Sequence, residues 1–164
     1  MSDAHPLRLR LTSPEDTARR AAAVARSARP GDVFLLSGPI GAGKTAFARA
    51  FIQARLAEAG APVEDVPSPT FTLVQTYDAG GCEIWHADLY RLTHPDEVEE
   101  LGLIDAFDTA ICLVEWPDRL GELTPGRAIR MTFRADDDDP DLRHLAIDAL
   151  PDHLSGALSE AADG

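Results

Sequence analysis

The chain has 164 residues, 45% of them hydrophobic and 26% charged, with a formal net charge of −13. That length and composition suit one globular domain with a real core, and no apolar run is long enough to span a membrane. The acidic balance argues against a protein that grips nucleic acid by itself, since phosphate contacts need a basic surface; any RNA would be held by a partner.

Met1 to Arg10 contains no apolar h-region, so no signal peptide is expected. Leu7, Leu9 and Leu11 alternate with Arg8 and Arg10, the pattern of a short half-buried strand. Ser13-Pro14-Glu15-Asp16 reads as a helix start, with Ser13 at N-cap and Pro14 at N1, and the helix runs through the Ala-rich stretch to about Ala28. Pro30-Gly31 breaks it. Val33-Phe34-Leu35-Leu36 is a continuous apolar run, the mark of a strand buried on both faces.

That strand leads into Gly38-Pro39-Ile40-Gly41-Ala42-Gly43-Lys44-Thr45, which matches the Walker A pattern. Of the fifteen Lys and Arg residues one is lysine, and it is Lys44. Glycines let successive N–H groups curl into a concave anion nest, which opens onto a helix N-terminus where negative charge is favoured. Lysine is a compact charge on a flexible stem, able to reach between phosphates where a planar guanidinium is too broad. Lys44 is therefore expected to face an open site and contact phosphates, and the Thr45 hydroxyl to meet Mg²⁺. Phe47, Phe51 and Ala54 recur at helical spacing, and Gly60 ends that helix near Glu58.

The stretch from Ala61 to Thr72 is loop-like. Within it Ser68-Pro69-Thr70-Phe71-Thr72 is hydroxyl-rich and stiffened by proline, either a γ-phosphate-sensing switch or a turn into the next strand. Leu73 to Tyr77 and Cys82 to His86 read as a hairpin joined by Asp78-Ala79-Gly80-Gly81. His94-Pro95-Asp96 opens a short acidic helix ending near Gly102. Ile111 to Val114 is a second buried strand, closed by Glu115. Ile129-Met131-Phe133 and Leu145-Ile147 alternate as a hairpin around the acidic turn Asp136 to Asp141, which reads as solvated. The tail, 151–164, is Ala/Ser-rich from Leu154 and is expected to fray, leaving a single-domain core at about 7–150. Cys82 and Cys112, isolated in apolar runs, read as reduced core thiols of a cytosolic protein.

A Walker A loop needs a carboxylate near Mg²⁺ at the end of a buried strand. Asp88 and Glu115 each follow such a strand, and ligands of parallel α/β sheets sit outside those strand ends. Either could instead be a cap or a surface charge. The assignment adopted is Glu115 on the metal and Asp88 near the γ-phosphate, ordering the metal shell or the attacking water. Lys44, Asp88 and Glu115 are then the catalytic set. Trp116 either stacks on adenine or belongs to the core, and His86 reads as a core residue or a support for the site.

Gly41 to Thr45, Ser68 to Val74, His86-Ala87-Asp88-Leu89-Tyr90-Arg91-Leu92, Glu97 to Gly102 and Leu113-Val114-Glu115-Trp116-Pro117 together resemble the bacterial TsaE (YjeE) family. The resemblance covers about residues 7 to 150. It implies an α/β, P-loop NTPase-like single domain with a central, mostly parallel sheet, added antiparallel hairpins and helices on both faces. It implies ATP and Mg²⁺ as ligands, and support of threonylcarbamoyladenosine synthesis on tRNA. In that family the partner TsaD, with TsaB, transfers the threonylcarbamoyl group, and ATP hydrolysis resets the complex; tRNA is met only through it. On this chain the resemblance implies nucleotide contacts from Gly38, Pro39, Ile40, Gly41, Ala42, Gly43, Lys44, Thr45, Thr70, Asp88 and Trp116, with metal contacts from Thr45 and Glu115. It adds Thr12, beside the base, and more weakly Arg143, because the acidic turn before it departs from the family pattern. A small-molecule P-loop kinase is the alternative, weakened by scattered arginines where a lid and acceptor site would be needed. A conventional GTPase would need an Asn-Lys-x-Asp motif, which a chain with Lys44 alone cannot hold.

Overall fold

The computed structural model describes residues 7–163, with side chains through 158. Strand β1 (Leu7–Leu11) is followed by α1 (Pro14–Ser27), whose N-cap is Ser13: its hydroxyl accepts from the Asp16 N–H, and Pro14 occupies the first turn where no N–H is required. β2 (Val33–Ser37) runs into the glycine loop, and α2 (Lys44–Glu58) starts directly at Lys44. β3 (Val74–Ala79) and β4 (Cys82–Asp88) form the hairpin, whose turn is confined to Gly80-Gly81 because Asp78 and Ala79 still pair in the ladder. Leu73, expected in the strand, has φ 70° and precedes it.

The short α3 (Asp96–Glu100) is followed at once by α4 (Leu103–Thr109), a helix the sequence reading missed. Gly102, at φ 81°, ends the first and starts the second, so a stop signal is also a start. β5 (Ile111–Glu115) is buried at all five positions. A 3₁₀ segment (Pro117–Leu123), β6 (Ile129–Ala135), β7 (Arg143–Asp148) and α5 (Asp152–Asp163) complete the order.

The strands form one sheet in the order β1-β7-β6-β2-β5-β4-β3. β4, β5, β2 and β6 run parallel to one another, while β3–β4, β6–β7 and β7–β1 are antiparallel. Helices cover both faces. α1, α2 and α5 pack over Phe34, Leu36, Ile84, Leu113 and Met131, and α3, α4 and the 3₁₀ segment over Leu35, Ala87, Cys112 and Val114. The period-2 alternation along each strand decides which side chain meets which layer.

Two expectations are corrected here. The tail does not fray at Leu154: Leu154 and Leu158 are fully buried against α1 and the sheet, each burial stabilising by roughly 2 kcal/mol. Cys112 is a core thiol, pushed by burial up to about 12, but Cys82 sits half-buried at the hairpin turn.

Candidate functional site

The parallel strands β2, β4 and β5 deliver their carboxyl ends to one edge of the sheet, and the loop after β2 curls over that edge. Gly38 sits at φ 140° with β6 directly behind it: a Cβ there would lie 2.4 Å from the Phe133 carbonyl oxygen. Gly41 (φ 84°) and Gly43 (φ 113°) supply the left-handed turns that no L side chain adopts without strain. α2 has no side-chain cap at its start, so the first-turn N–H groups are left for whatever enters the loop.

Along β4, Ile84 faces α2, so His86 and Asp88 do as well; along β5, Ile111, Leu113 and Glu115 face the same way. The register pairs Asp88 with Glu115, so both carboxylates arrive side by side under the start of α2. The Thr45 hydroxyl donates to Glu115 Oε1 at 2.8 Å, and His86 Nε2 lies 2.7 Å from Glu115 Oε2. Asp88 accepts from the Tyr90 N–H at 3.0 Å and from the Thr70 hydroxyl at 3.3 Å, and Thr70 is hydrogen-bonded to Ser68 at 2.7 Å. Asp88 and Glu115 are almost inaccessible, at 5% and 2%.

Lys44 departs from expectation. Rather than reaching into open space, its ammonium donates to the Gly38 carbonyl and lies 3.8 Å from the Trp116 ring centroid. Trp116, in the left-handed region at φ 58°, covers Lys44, and the Tyr90 ring packs 4.8 Å away. Burial lowers the Lys44 pKa, and the carboxylates of Glu115, Asp88 and Asp118 oppose that shift.

These groups line a cavity of about 560 Å³. Ile40, Gly41, Gly43, Lys44, Thr45, Thr70, Asp88, Glu115, Trp116 and Arg143 all border it. Gly38, Pro39 and Ala42 belong to the loop but do not line the cavity. Thr12 is also off the wall: its N–H and hydroxyl contact the Asp16 carboxylate, and its neighbours Ser13, Pro14 and Thr17 border the cavity instead. Arg143 donates to the Pro140 carbonyl at 2.6 Å, and Pro140 and Asp141 join the wall. The acidic turn is therefore more than a solvated surface element. Asp136 gathers it by accepting from the Asp138 and Asp139 N–H groups and pairing with His144 at 2.8 Å. Thr17 could have been found one helical turn beyond Ser13, and Tyr90 from its place two residues after Asp88; nothing in the sequence brings Pro140, on the β6–β7 turn, to this cavity.

The family described as "Threonylcarbamoyl adenosine biosynthesis protein TsaE" matches residues 11–144. The chain belongs to the TsaE family. It is 38% identical over 155 residues to a Bacillus subtilis protein named tRNA threonylcarbamoyladenosine biosynthesis protein TsaE, covering 93% of this chain and 94% of that one. A Rickettsia bellii protein of the same name is 39% identical over 135 residues, covering 82% and 91% of the two chains. The crystal structure of Bacillus subtilis YdiB superposes with a TM-score of 0.72 at 27% identity, over 99% of this chain and 98% of that one. The fold shared with that structure therefore takes in the whole sheet and also α5, which lies beyond residues 11–144.

Proposed function

We propose that this TsaE-family chain is a Mg²⁺-dependent ATPase that supports threonylcarbamoyladenosine modification of tRNA by binding and resetting a TsaB–TsaD complex. The observation that carries the reading is the Thr45–Glu115 hydrogen bond beneath an uncapped glycine loop. A hydroxyl and a carboxylate held together at the foot of an anion nest are the protein's share of a Mg²⁺–phosphate site. Mg²⁺ favours oxygen donors, keeps several waters, and is bound through one or two carboxylates plus substrate phosphates. Among the described residues no cluster of three His, Cys, Asp or Glu side chains offers a metal site made of protein alone, which suits a site completed by substrate.

Thr45 and Glu115 would hold the ion, which when bound neutralises charge on the β- and γ-phosphate oxygens. The loop amides and Lys44 bind and orient the phosphates; the ammonium spends one of its three donors on the Gly38 carbonyl. Asp88, held by Thr70 and the Tyr90 amide, is positioned to order a water at the phosphate end. Pro140, Asp141, Arg143, Ser13 and Thr17 form the wall assigned to the nucleoside. The names of the relatives support the tRNA pathway over the kinase alternative. The charge of −13 supports contact with tRNA only through the partner complex. None of the described helices is long and apolar enough to cross a membrane, which is compatible with the proposed cytoplasmic location.

The test is ATP turnover by the purified chain, alone and with TsaB–TsaD and tRNA. Slow turnover alone and clear stimulation by the complex is the expected result. Turnover indifferent to the complex would overturn the partner-resetting role and leave only the nucleotide site.

A further inference from the structure

We infer that His86 is a positioning residue for the metal-binding carboxylate of Glu115. The inference rests on the Mg²⁺ reading of the site and adds to it the group that decides which way Glu115 points.

His86 is completely buried in β4, on the face that meets α2. Burying an imidazole without partners is costly, and a core position between Ile84 and Asp88 would accept an aliphatic side chain at no such cost. The ring instead spends one nitrogen on Glu115: Nε2 lies 2.7 Å from Oε2. Among the described residues its other nitrogen, Nδ1, has no hydrogen-bond partner. An ionised carboxylate can only accept, so the shared proton belongs on Nε2 and the ring donates to Glu115.

The two oxygens of Glu115 are thereby divided. Oε2 is held by His86 and Oε1 by the Thr45 hydroxyl. A glutamate at a strand end has three rotatable side-chain bonds. With Oε2 tied to a rigid, buried ring, Oε1 is presented toward Thr45 and the cavity. Supporting groups of this kind set the orientation and basicity of metal ligands, and their loss weakens metal affinity by about 10- to 100-fold.

The experiment titrates Mn²⁺, as a paramagnetic stand-in for Mg²⁺, into the full chain saturated with ADP, following free Mn²⁺ by electron paramagnetic resonance. Wild type, His86→Leu and His86→Gln are compared, and ADP affinity is measured separately without metal. The expected result is at least about a tenfold loss of Mn²⁺ affinity in His86→Leu. His86→Gln, which keeps an N–H able to reach Oε2, should return to within a few-fold of wild type, with metal-free ADP affinity equal in all three. Should His86→Leu fail to fold, His86→Asn replaces it, being polar but too short to reach Oε2. Unchanged Mn²⁺ affinity in the leucine or asparagine variant overturns the inference. So does equal loss in that variant and in His86→Gln, since a merely structural role would not distinguish them. If wild type with ADP binds no Mn²⁺, the metal reading itself falls and this inference falls with it.

Discussion

The Thr45 hydroxyl donates to Glu115 Oε1 across 2.8 Å of space and 70 positions of sequence. One residue lies in the first turn of α2 and the other ends β5, so their meeting depends on β2 and β5 lying side by side in parallel. The pair ties the start of α2, just after the glycine loop, to the carboxylate proposed to hold the metal.

Replacing Glu115 by glutamine keeps its size and its bond from Thr45 while removing its charge. ATP turnover should fall by about 100-fold, as for loss of a group aimed at transition-state charge, while ADP affinity without metal stays within a few-fold. Steady-state kinetics and calorimetric titration separate the two. Parallel loss of both, with a lowered melting temperature, would make Glu115 structural.

Lys44→Ala should remove the proposed charge-assisted phosphate contact, an effect of about 2 kcal/mol or more on nucleotide affinity. The fold should survive, because among the described residues the ammonium's hydrogen bond and cation–π contact go to the Gly38 carbonyl and the Trp116 ring. Entry of phosphates should also draw Lys44 away from Trp116. In a Trp85→Phe background the Trp116 emission should change on ADP addition, and that change should vanish in Lys44→Ala.

Gly38→Ala should be more damaging than Gly41→Ala. Both positions have positive φ, but a Cβ on Gly38 meets the Phe133 carbonyl oxygen at 2.4 Å, whereas one on Gly41 has nothing within 4 Å. Strain alone costs about 1–3 kcal/mol, so Gly41→Ala should lose that much and Gly38→Ala distinctly more, in urea denaturation.

The acidic turn should respond to acid through Asp136. Its carboxyl is held down at about 2 by hydrogen bonds from His144 and from the Asp139 and Asp138 amides. A lowered folded pKa stabilises above the unfolded value and loses that stabilisation as pH falls through the folded one. Asp136→Asn should therefore be less stable than wild type at neutral pH, and the difference should shrink between about pH 4 and pH 2. Denaturation midpoints of the two proteins across that range check it. A constant difference would place the effect of the substitution elsewhere.

Much of the fold was legible because its signals are local. The Ser13-Pro14 cap, the unbroken apolar runs of β2 and β5 and the glycine loop each specify their conformation within a few residues. α4 was hidden because it is seven residues long, buries only Leu103, Ala106 and Phe107, and starts from a glycine that also ends α3. α5 was read as a fraying tail because small residues dominate it, and only packing against α1 reveals that Leu154 and Leu158 carry it.

By itself, the sequence determined the chemistry available: one ammonium in a glycine loop, a hydroxyl beside it, and carboxylates at the ends of two buried strands. Chain-local sterics and hydrophobic periodicity suffice for that. Only the tertiary structure decided which groups touch. It set Lys44 beneath Trp116, tied Glu115 to both Thr45 and His86, and brought Pro140 and Asp141 to the same cavity as Ser13. Those contacts follow from strand order and register, which arise from how the whole apolar surface is buried at once rather than from any single segment.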